Sequence, residues 1–272
     1  MQSELVFDAK TTLGEGPAWD SKTQTLYWVD ILGKRVYAGS RVLAELDEFV
    51  GCLAPCKNGH LILGTRFSFA DLDPASGQIT VLASLDSEPP SNRFNDGKCD
   101  PAGRFLAGTM DLNEKDPTGS LYSYDGKKTT RLFDNVTISN GLAWSPDFKT
   151  FYYIDTPTRE VKAFDYDIPS GKIADPRIVI QLGQTLGWPD GMTSDTDGNL
   201  WIAMWGGAQV TQWSPKSGAL LEQIPIPALQ TSACVFGGRH MNELYVTSAR
   251  KGMSEADLKE YPLSGGLFKV VT

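Results

Sequence analysis

Histidine is scarce in this chain of 272 residues, which contains only His60 and His240. A zinc site built from three histidines of one chain is therefore excluded. No G-x-S-x-G motif is present, and neither histidine belongs to a repeated acidic segment, so a Ser-His-Asp hydrolase is not supported. Chemistry that depends on imidazole is an unpromising basis for function here.

Paired cysteines are also lacking. The four cysteines are Cys52, Cys56, Cys99 and Cys234. They form no C-x-x-C motif, and a chain of this length does not need disulfides to hold its core. We expect all four to be reduced packing residues, with oxidation of the Cys52 and Cys56 pair as the alternative.

Excess positive charge and long apolar runs are missing as well. The formal net charge is −8 and the pI is about 4.9. Nucleic acids and anionic membranes need basic surface, so we expect neither as a partner. The start of the chain has no leader pattern, and no segment offers about 18 uninterrupted apolar residues. We expect a soluble, cytoplasmic protein, and nothing in the sequence indicates an oligomeric state.

Six segments share one pattern, a turn followed by a short apolar strand. The predicted strands begin at Leu26, Leu61, Phe105, Phe151, Leu200 and Leu244. Their spacings of 35, 44, 46, 49 and 44 residues are typical of propeller blades, which contain several short strands per repeat. The repeat predicts an all-β fold, a six-bladed β-propeller, with little helix.

An acid or amide directly precedes a glycine in four of the turn segments. These residues are Glu15, Asp96, Asn140 and Asp190. Because the blades of a propeller present equivalent positions around one axis, we expect these side chains to converge there. Capping of separate turns is the alternative, but recurrence at matching positions favours a central metal site. Oxygen ligands of this kind suit Ca²⁺, Mg²⁺ or Mn²⁺, and affinity trends also admit Zn²⁺ or Fe²⁺.

One domain over residues 1–272 is expected, because no linker or low-complexity tract interrupts the repeat. Short apolar runs stand at both ends, at Leu5–Phe7 and Leu267–Val271. Propellers often complete one blade with strands from both chain ends, so we predict that these two runs share a blade. The stretch Asp111–Gly119 is predicted to be a surface loop.

Five motifs resemble the senescence-marker-protein/gluconolactonase/luciferin-regenerating-enzyme family, in order and over nearly the whole chain. They are LGEGPAW (13–19), RFNDGKCDPAGRFLAGTM (93–110), ISNGLAWSPD (138–147), PDGMTSDTDGNLWIA (189–203) and CVFGG…LYVTSAR (234–250). The resemblance implies a six-bladed propeller with one divalent metal ion in the central tunnel. It also implies hydrolysis of sugar lactones. The family includes regucalcin-like members.

The resemblance assigns roles residue by residue. Glu15 of GEGP, Asn140 of SNGL and Asp190 of PDGM match the metal ligands of the family. In RFNDG the substrate contacts of the family match Arg93 and Asn95. Asp96, which the repeat alone would have chosen as a ligand, then lies behind the ligands.

One position departs from the family pattern. Regucalcin-like members of the family carry a glutamate that contacts substrate three residues after the methionine of GTM, and here that position is Asn113. We expect Asn113 to take the substrate-binding role, with the adjacent Glu114 pointing elsewhere. Substrate choice between pentonolactones and hexonolactones therefore stays open.

The tryptophans are expected to pack in the core. They include Trp28, Trp188, Trp201 and Trp205. Tryptophan buries a large apolar area, which favours packing for each of them. Trp205, which precedes a Gly-Gly pair, is the candidate for a sugar platform at the tunnel mouth.

A lactone is a cyclic ester, so a metal ion that polarises its carbonyl lowers the barrier without a covalent intermediate. Asp190, as ligand and carboxylate, is the candidate to take a proton from water and return it to the leaving ring oxygen. Two alternatives keep the same metal: hydrolysis of organophosphates, or a non-catalytic, calcium-binding regulatory role.

Overall fold

The computed structural model describes residues 1–271, and within them the fold is all-β. Beside the strands these residues form one short helix, α1 (Glu255–Glu260), and two 3₁₀ turns, Thr156–Thr158 and Gln184–Leu186. The predicted all-β class and the predicted scarcity of helix are both confirmed.

Twenty-four strands follow one another along residues 1–271. The first thirteen are β1 (Ser3–Phe7), β2 (Gly14–Asp20), β3 (Thr25–Asp30), β4 (Arg35–Ala38), β5 (Arg41–Glu45), β6 (Val50–Pro55), β7 (Leu61–Thr65), β8 (Ser68–Leu72), β9 (Ile79–Ser84), β10 (Asn92–Cys99), β11 (Phe105–Asp111), β12 (Gly119–Tyr124) and β13 (Thr129–Val136). The remaining strands are β14 (Ser139–Trp144), β15 (Thr150–Asp155), β16 (Glu160–Asp167), β17 (Lys172–Gln181), β18 (Trp188–Ser194), β19 (Leu200–Trp205), β20 (Gln209–Trp213), β21 (Leu220–Pro225), β22 (Gln230–Gly237), β23 (Glu243–Ala249) and β24 (Leu267–Val271).

The strands form six antiparallel units of four. Units 1 to 4 are separate sheets: β2–β5, β6–β9, β10–β13 and β14–β17. Unit 5 is β18–β21, and unit 6 is β22–β24 completed by β1, which pairs with β24. Units 5 and 6 belong to one eight-stranded sheet, but a single pair, Trp205 opposite Gln230, joins them. Each of the six apolar strands predicted from the sequence is present as the second strand of its unit.

The first strands of the units form a ring. Strand β2 contacts β6, β6 contacts β10, and the series continues through β14, β18 and β22 back to β2. Equivalent positions in the six units are therefore brought around one centre, although they are tens of residues apart in the chain. Side chains that point inward from these first strands share that centre.

Within residues 1–271 the hydrophobic core is divided into six clusters, each lying between two neighbouring units. The cluster between units 6 and 1 contains Trp28, which is fully buried and stacks on Tyr37, with ring centroids 4.2 Å apart. Leu267 of β24 packs in the same cluster. Because each cluster draws residues from both flanking units, burial of apolar surface holds every unit to its neighbours.

The glycine-rich segments expected to be turns are strands. Glu15, Asn140 and Asp190 lie inside β2, β14 and β18, at places where the pairing with the next strand shifts register. A shift of this kind is a β-bulge, which bends the strand and re-aims a side chain. The turns follow these strands instead. The acid-glycine or amide-glycine pair therefore marks a bulge in the ring, not a tight turn.

All four cysteines are free thiols, as predicted. Cys52 and Cys234 are buried, and the other two are partly buried. Among residues 1–271, no helix has the length and apolar character needed to cross a membrane.

The pairing of the two chain ends generates the first prediction. Deleting residues 1–7 removes β1 and leaves the polar edge of β24 unpaired. If the lost hydrogen bonds contribute about 2 kcal/mol, the thermal midpoint falls by roughly 4–8 °C. Thermal unfolding followed by circular dichroism measures the change. Deletion of Met1 and Gln2 alone, which precede β1, is the matched control, and equal midpoints for both deletions would contradict the expectation.

Candidate active site

A cavity of about 340 Å³ is lined in part by residues of four first strands of the ring, β2, β10, β14 and β18. Its polar lining residues are Glu15, Arg93, Asn95, Glu114, Asn140, Thr156, Asp190 and Lys251, and its apolar ones are Leu13, Met110, Ile138, Pro157, Trp188 and Trp205. The lining comes from units 1, 3, 4, 5 and 6, so residues distant in sequence meet here. A mostly apolar wall with a few converging polar groups is the usual composition of a small-molecule site.

Glu15, Asn140 and Asp190 all line this cavity and are buried. Each precedes the glycine of a bulge, and Gly16 and Gly141 have positive φ angles of 53° and 35°. This left-handed backbone is strained for residues other than glycine. The bulges thus account for both the inward direction of the three side chains and the glycine that follows them.

The two carboxylates of this group are short of positive compensation. Burial raises the pKa of Glu15 to about 8, and the neighbouring charge of Asp96 adds to the shift. Burial, followed by the charges of Glu15 and Asp96, raises the pKa of Asp190 well above its usual range. Oδ1 of Asp190 is buried and has no hydrogen-bond partner among the described residues. A cation between the two carboxylates would supply the missing partner.

A chain of hydrogen bonds fixes the amides beside these carboxylates. Nη1 of Arg93 donates to Oδ1 of Asn95 at 2.7 Å, and Nδ2 of Asn95 donates to Oδ1 of Asn140 at 2.8 Å. Nδ2 of Asn140 donates to Oγ1 of Thr156 at 2.8 Å, and that hydroxyl donates to the carbonyl of Pro189 at 2.8 Å. The oxygen of Asn140 therefore keeps one lone pair for a further partner.

Thr156 was missed in the sequence, where it follows the predicted strand FYYID without any motif. Its position directly after β15, the second strand of unit 4, was the only available signal. The hydroxyl links units 4 and 5, because it contacts both Asn140 and the backbone next to Asp190.

Arg93 is buried in the wall of the cavity. Burial lowers the pKa of its guanidinium to about 10, while the charges of Glu114, Glu15 and Asp190 act in the opposite direction. The group stays protonated at neutral pH. Only its Nη1 is engaged in hydrogen bonds within residues 1–271, to Asn95 and to the carbonyl of Phe94 at 2.9 Å.

Asp96 lies close to the carboxylates but is not among the cavity-lining residues. Its Oδ1 accepts a hydrogen bond from the backbone of Gly97 at 2.7 Å. Burial raises the pKa of Asp96. The charge of Lys98, whose ammonium donates to the carbonyl of Met192 at 2.8 Å, opposes this rise. Asp96 thus acts on the site through its charge.

Asn113 and Glu114 are placed contrary to expectation. Asn113 is exposed, does not line the cavity, and directs its amide to Asp111 at 3.4 Å. Glu114 lines the cavity and forms an ion pair with Lys251. The reason is local: Glu114 has a positive φ of 60° and its N–H donates to the carbonyl of Asp111, so the chain reverses there. Of the two neighbours, Glu114 and not Asn113 lines the cavity.

Lys251 was also missed by sequence reasoning. It follows β23, and its backbone N–H donates to the carbonyl of Thr12 at 2.9 Å, which ties it to unit 1. Its ion pair with Glu114 joins units 6 and 3 across the cavity. The family motif LYVTSAR ends at Arg250, one residue before Lys251. Nothing in the sequence beyond its positive charge therefore marked Lys251 as a site residue.

Two tryptophans form part of the apolar wall. Trp188 and Trp205 face each other as the end pair of β18 and β19. Trp205 therefore lies at the cavity, the position considered for it from the sequence. Trp188 does not pack in the core as expected, since 43% of its surface is exposed. Trp28 and Trp201 are buried, as predicted.

The donor set suits a hard cation. The described residues contain no group of three or more His, Cys, Asp or Glu side chains placed to hold a metal ion. The cavity instead combines two carboxylates with an amide oxygen, and one carboxylate oxygen is buried without a partner. Oxygen-only sets of low net charge are typical of Ca²⁺, Mg²⁺ and Mn²⁺ sites that are completed by water.

Comparison with known proteins identifies the family. Residues 13–250 match the model of the SMP-30/Gluconolactonase/LRE-like region, and the chain belongs to this family. The resemblance found in the sequence motifs is thereby confirmed.

Among individual proteins, the chain is similar to regucalcins. It is 40% identical to regucalcin of Danio rerio and 42% identical to regucalcin of Gallus gallus, in each case over 98% of this chain and 93% of the relative. A solved luciferin-regenerating enzyme is 33% identical with a TM-score of 0.91, covering 99% of this chain and 95% of that one. A gluconolactonase from Xanthomonas campestris is 26% identical with a TM-score of 0.80, over 99% and 89% of the two chains.

The close contact between neighbouring first strands generates the second prediction. A Cβ at Gly191, next to Asp190, would lie 2.4 Å from Cβ of Ala233 in unit 6. Overpacking of this kind destabilises by about 1–3 kcal/mol, so Gly191→Ala should lower the thermal midpoint by at least about 2 °C.

Gly183→Ala is the matched control for this substitution. A Cβ at Gly183 meets no atom within 4 Å, and its φ of −69° is ordinary for any residue. We expect Gly183→Ala to leave the midpoint unchanged or raise it slightly. If Gly191→Ala unfolds at the same temperature as this control, the contact between units 5 and 6 is looser than described.

Proposed function

We propose that this protein is a metal-dependent lactonase that opens sugar (aldono) lactones to aldonic acids. The observation that carries the proposal is the buried, unpartnered Oδ1 of Asp190, which lies in one cavity with Glu15 and Asn140. The family provides the substrate class, since one structural relative is described as a gluconolactonase. A cavity of about 340 Å³ is adequate for a compound of that size.

We further propose that the six units are the blades of one closed six-bladed β-propeller domain. Support comes from the ring of contacts among the first strands and from the six core clusters between successive units. Pairing of β1 with β24 supports closure of one blade by the two chain ends. The axis of the ring then passes through the cavity, which is where a single central site belongs in this architecture.

Glu15, Asn140 and Asp190 would hold the divalent cation. When bound, the cation supplies Lewis acidity, which favours attack on an ester carbonyl and stabilises negative charge on its oxygen. Ca²⁺, Mg²⁺, Mn²⁺, Zn²⁺ and Fe²⁺ are all compatible with these ligands, and Ca²⁺ has support from a structural relative described as a calcium-binding protein, regucalcin.

Arg93 and Asn95 would bind and orient the substrate. The guanidinium of Arg93 has donors besides Nη1, and its side chain lines the cavity, so it can bind a lactone oxygen or the carboxylate product. Asn95 is fixed by its bonds to Arg93, to Asn140 and to the carbonyl of Ser139. This fixation keeps the substrate-binding residues in register with the proposed ligands.

Asp190 would move the proton. Its carboxylate accepts a proton from a water molecule while the water oxygen forms a bond to the lactone carbonyl carbon. The bond between that carbon and the ring oxygen then breaks, and Asp190 returns the proton to the ring oxygen. The product is an open hydroxy acid. Burial and the charges of Glu15 and Asp96 raise the pKa of Asp190 and favour its protonated form. A bound cation would oppose this shift and keep the carboxylate ionised, as a proton acceptor must be.

A panel of aldono-1,4- and aldono-1,5-lactones tests the proposal. The protein is stripped of metal and then supplied with each cation in turn, while acid release and the thermal midpoint are measured. At a hundredfold excess over Kd a bound cation stabilises by about 2.7 kcal/mol, which raises the midpoint by roughly 5–10 °C. Acid release above the spontaneous rate should require the same cation.

Two other results would redirect the interpretation. Metal stabilisation without turnover of any lactone would favour a calcium-binding, non-catalytic role. Turnover of phosphotriesters in preference to lactones would favour the hypothesis that the protein is an organophosphate hydrolase. If no cation stabilises the protein and no substrate is turned over, that result contradicts the proposed site itself.

Asp190→Asn tests the role in proton transfer. The amide retains an oxygen ligand but cannot accept the proton, so kcat should fall at least about 100-fold, while a cation still raises the thermal midpoint in part. Asp96→Asn is the matched control, because it removes a buried charge close to the site without removing a cavity-lining group. Equal losses of kcat in the two variants would mean that charge, not proton transfer, is what Asp190 contributes.

The presence of Glu114, and not Asn113, in the cavity wall generates a further prediction. Glu114→Gln removes the ion pair with Lys251 and a cavity-lining charge, so we expect KM for the preferred lactone to rise about tenfold, which corresponds to roughly 1.4 kcal/mol. Asn113→Ala, in the exposed neighbour, should leave KM within about twofold. Steady-state kinetics distinguish the two, and the reverse order of effects would restore Asn113 as the substrate-binding residue.

A further inference from the structure

The hydroxyl of Thr156 lies between two of the proposed cation ligands. Nδ2 of Asn140 donates to Oγ1 of Thr156 at 2.8 Å, and the hydroxyl donates to the carbonyl of Pro189, the residue before Asp190, at 2.8 Å. The side chain of Thr156 is buried and lines the cavity. One hydroxyl therefore contacts both β14 and β18, the strands that carry Asn140 and Asp190.

The hydrogen bonds through this hydroxyl run in one direction. They begin at the guanidinium of Arg93, which can only donate, and end at the carbonyl of Pro189, which can only accept. Between these ends, Asn95 donates to Asn140 and Asn140 donates to Thr156. The two ends thus fix which amide atom faces each neighbour. Because Thr156 binds the nitrogen of Asn140, the oxygen is the amide atom left to meet a cation.

The carbonyl that Thr156 binds belongs to the bulge of β18. Pro189 is paired with β19 and the pairing resumes at Met192, so Asp190 lies in the bulged part. Asn140 stands at the corresponding register shift in β14. The ladder of hydrogen bonds between strands is disrupted at a bulge, so a side-chain bond there has more influence on the backbone than elsewhere. The hydroxyl of Thr156 ties the two bulges together.

The backbone of Thr156 is itself fixed on both sides. Its N–H donates to the carbonyl of Ile138 at 3.2 Å, and its carbonyl accepts from the N–H of Arg159 at 3.1 Å. Thr156 opens the 3₁₀ turn Thr156–Thr158, in which the ring of Pro157 restricts φ. Branching at Cβ also restricts χ1 of threonine. The hydroxyl is thus preorganised to hold its two partners in one geometry.

We infer that Thr156 is a positioning residue of the candidate metal site, whose hydroxyl fixes the amide of Asn140 relative to the bulge that carries Asp190. The inference rests on the proposed function, in which Glu15, Asn140 and Asp190 hold a divalent cation. Removal of a group that orients metal ligands lowers metal affinity by about 10- to 100-fold. Thr156 acts on the cation through its two neighbours, not by direct contact.

Thr156→Val tests the inference, because valine keeps the branched shape and removes the hydroxyl. Titration calorimetry of the metal-stripped protein with Ca²⁺, Mg²⁺ and Mn²⁺ measures Kd, and the cation that the wild type binds most tightly is used for every variant. We expect Thr156→Val to raise Kd at least about tenfold. Thr156→Ser retains the hydroxyl, so its Kd should stay within about threefold of the wild-type value, since a looser rotamer costs less than an orphaned donor.

Thr158→Val is the matched control. Thr158 belongs to the same 3₁₀ turn, and its hydroxyl donates to the carbonyl of Asp155 at 2.7 Å, but it does not line the cavity. The control removes a comparable hydrogen bond, so we expect a lower thermal midpoint with the wild-type Kd. Thr156→Ala removes the same hydroxyl in a smaller side chain, and it takes the place of Thr156→Val if the valine variant does not fold.

Three results would overturn the inference. The first is a Kd for Thr156→Val within about threefold of the wild-type value, which is below the effect of an orienting group. The second is an equal rise of Kd in Thr158→Val, which would mean that stability of the turn, not positioning, sets the affinity. The third is an equal rise in Thr156→Ser, which would assign the effect to the methyl group.

Lactone turnover, measured beside the affinities, separates this inference from the proposed function. The expected pattern of Kd values without turnover of any lactone would retain the positioning role and refute the lactonase. Cation-dependent turnover with an unchanged Kd in Thr156→Val would retain the lactonase and refute the positioning role. A wild-type protein that binds none of the cations would refute the metal site and overturn the inference with it.

Discussion

Two carboxylates buried side by side at the centre of a ring of strands are the constraint on which the rest of the structure depends. Burial raises the pKa values of Glu15 and Asp190, the charge of Asp96 adds to both shifts, and the charge of Glu15 adds to that of Asp190. Charges in such a place must be compensated by partners, by protons or by a cation. Bulges aim these side chains inward and hydrogen bonds fix the amides beside them, so together they form the one cluster in which the proposed cation would supply the compensating charge.

The fold could be predicted from the sequence to a large extent, because the signal repeats. The apolar strands beginning near Leu61, Phe105 and Leu200 recur at a regular distance, and each became the second strand of a unit. The segments before them were misinterpreted as turns, since a glycine after an acid or amide is typical of both a turn and a bulge. Only pairing with the next strand distinguishes the two, and that pairing is not a local property of the sequence.

The centre of the candidate site could be foreseen from the sequence. Its mouth, the part of the cavity wall formed by Glu114, Lys251 and Trp188, could not. Glu15, Asn140 and Asp190 stand in repeated motifs, so their convergence follows from the repeat. Glu114 enters the cavity through a positive φ in a residue other than glycine, which no motif announces. Trp188 is held outside the core by Arg159, a residue of the preceding unit, so local composition could not reveal its exposure.

The separation of the centre from the mouth has a consequence for divergence within this family. The proposed ligands lie on first strands, and each first strand is fixed on both sides by neighbouring units. Glu114 and Lys251 lie on connections after the second strands, and Trp188 lies at the start of a strand after a turn. Connections tolerate substitution and insertion better than the strands they join. The mouth can therefore drift toward new substrates while the charged centre and its supporting ring are inherited unchanged, and relatives with different names can share one scaffold.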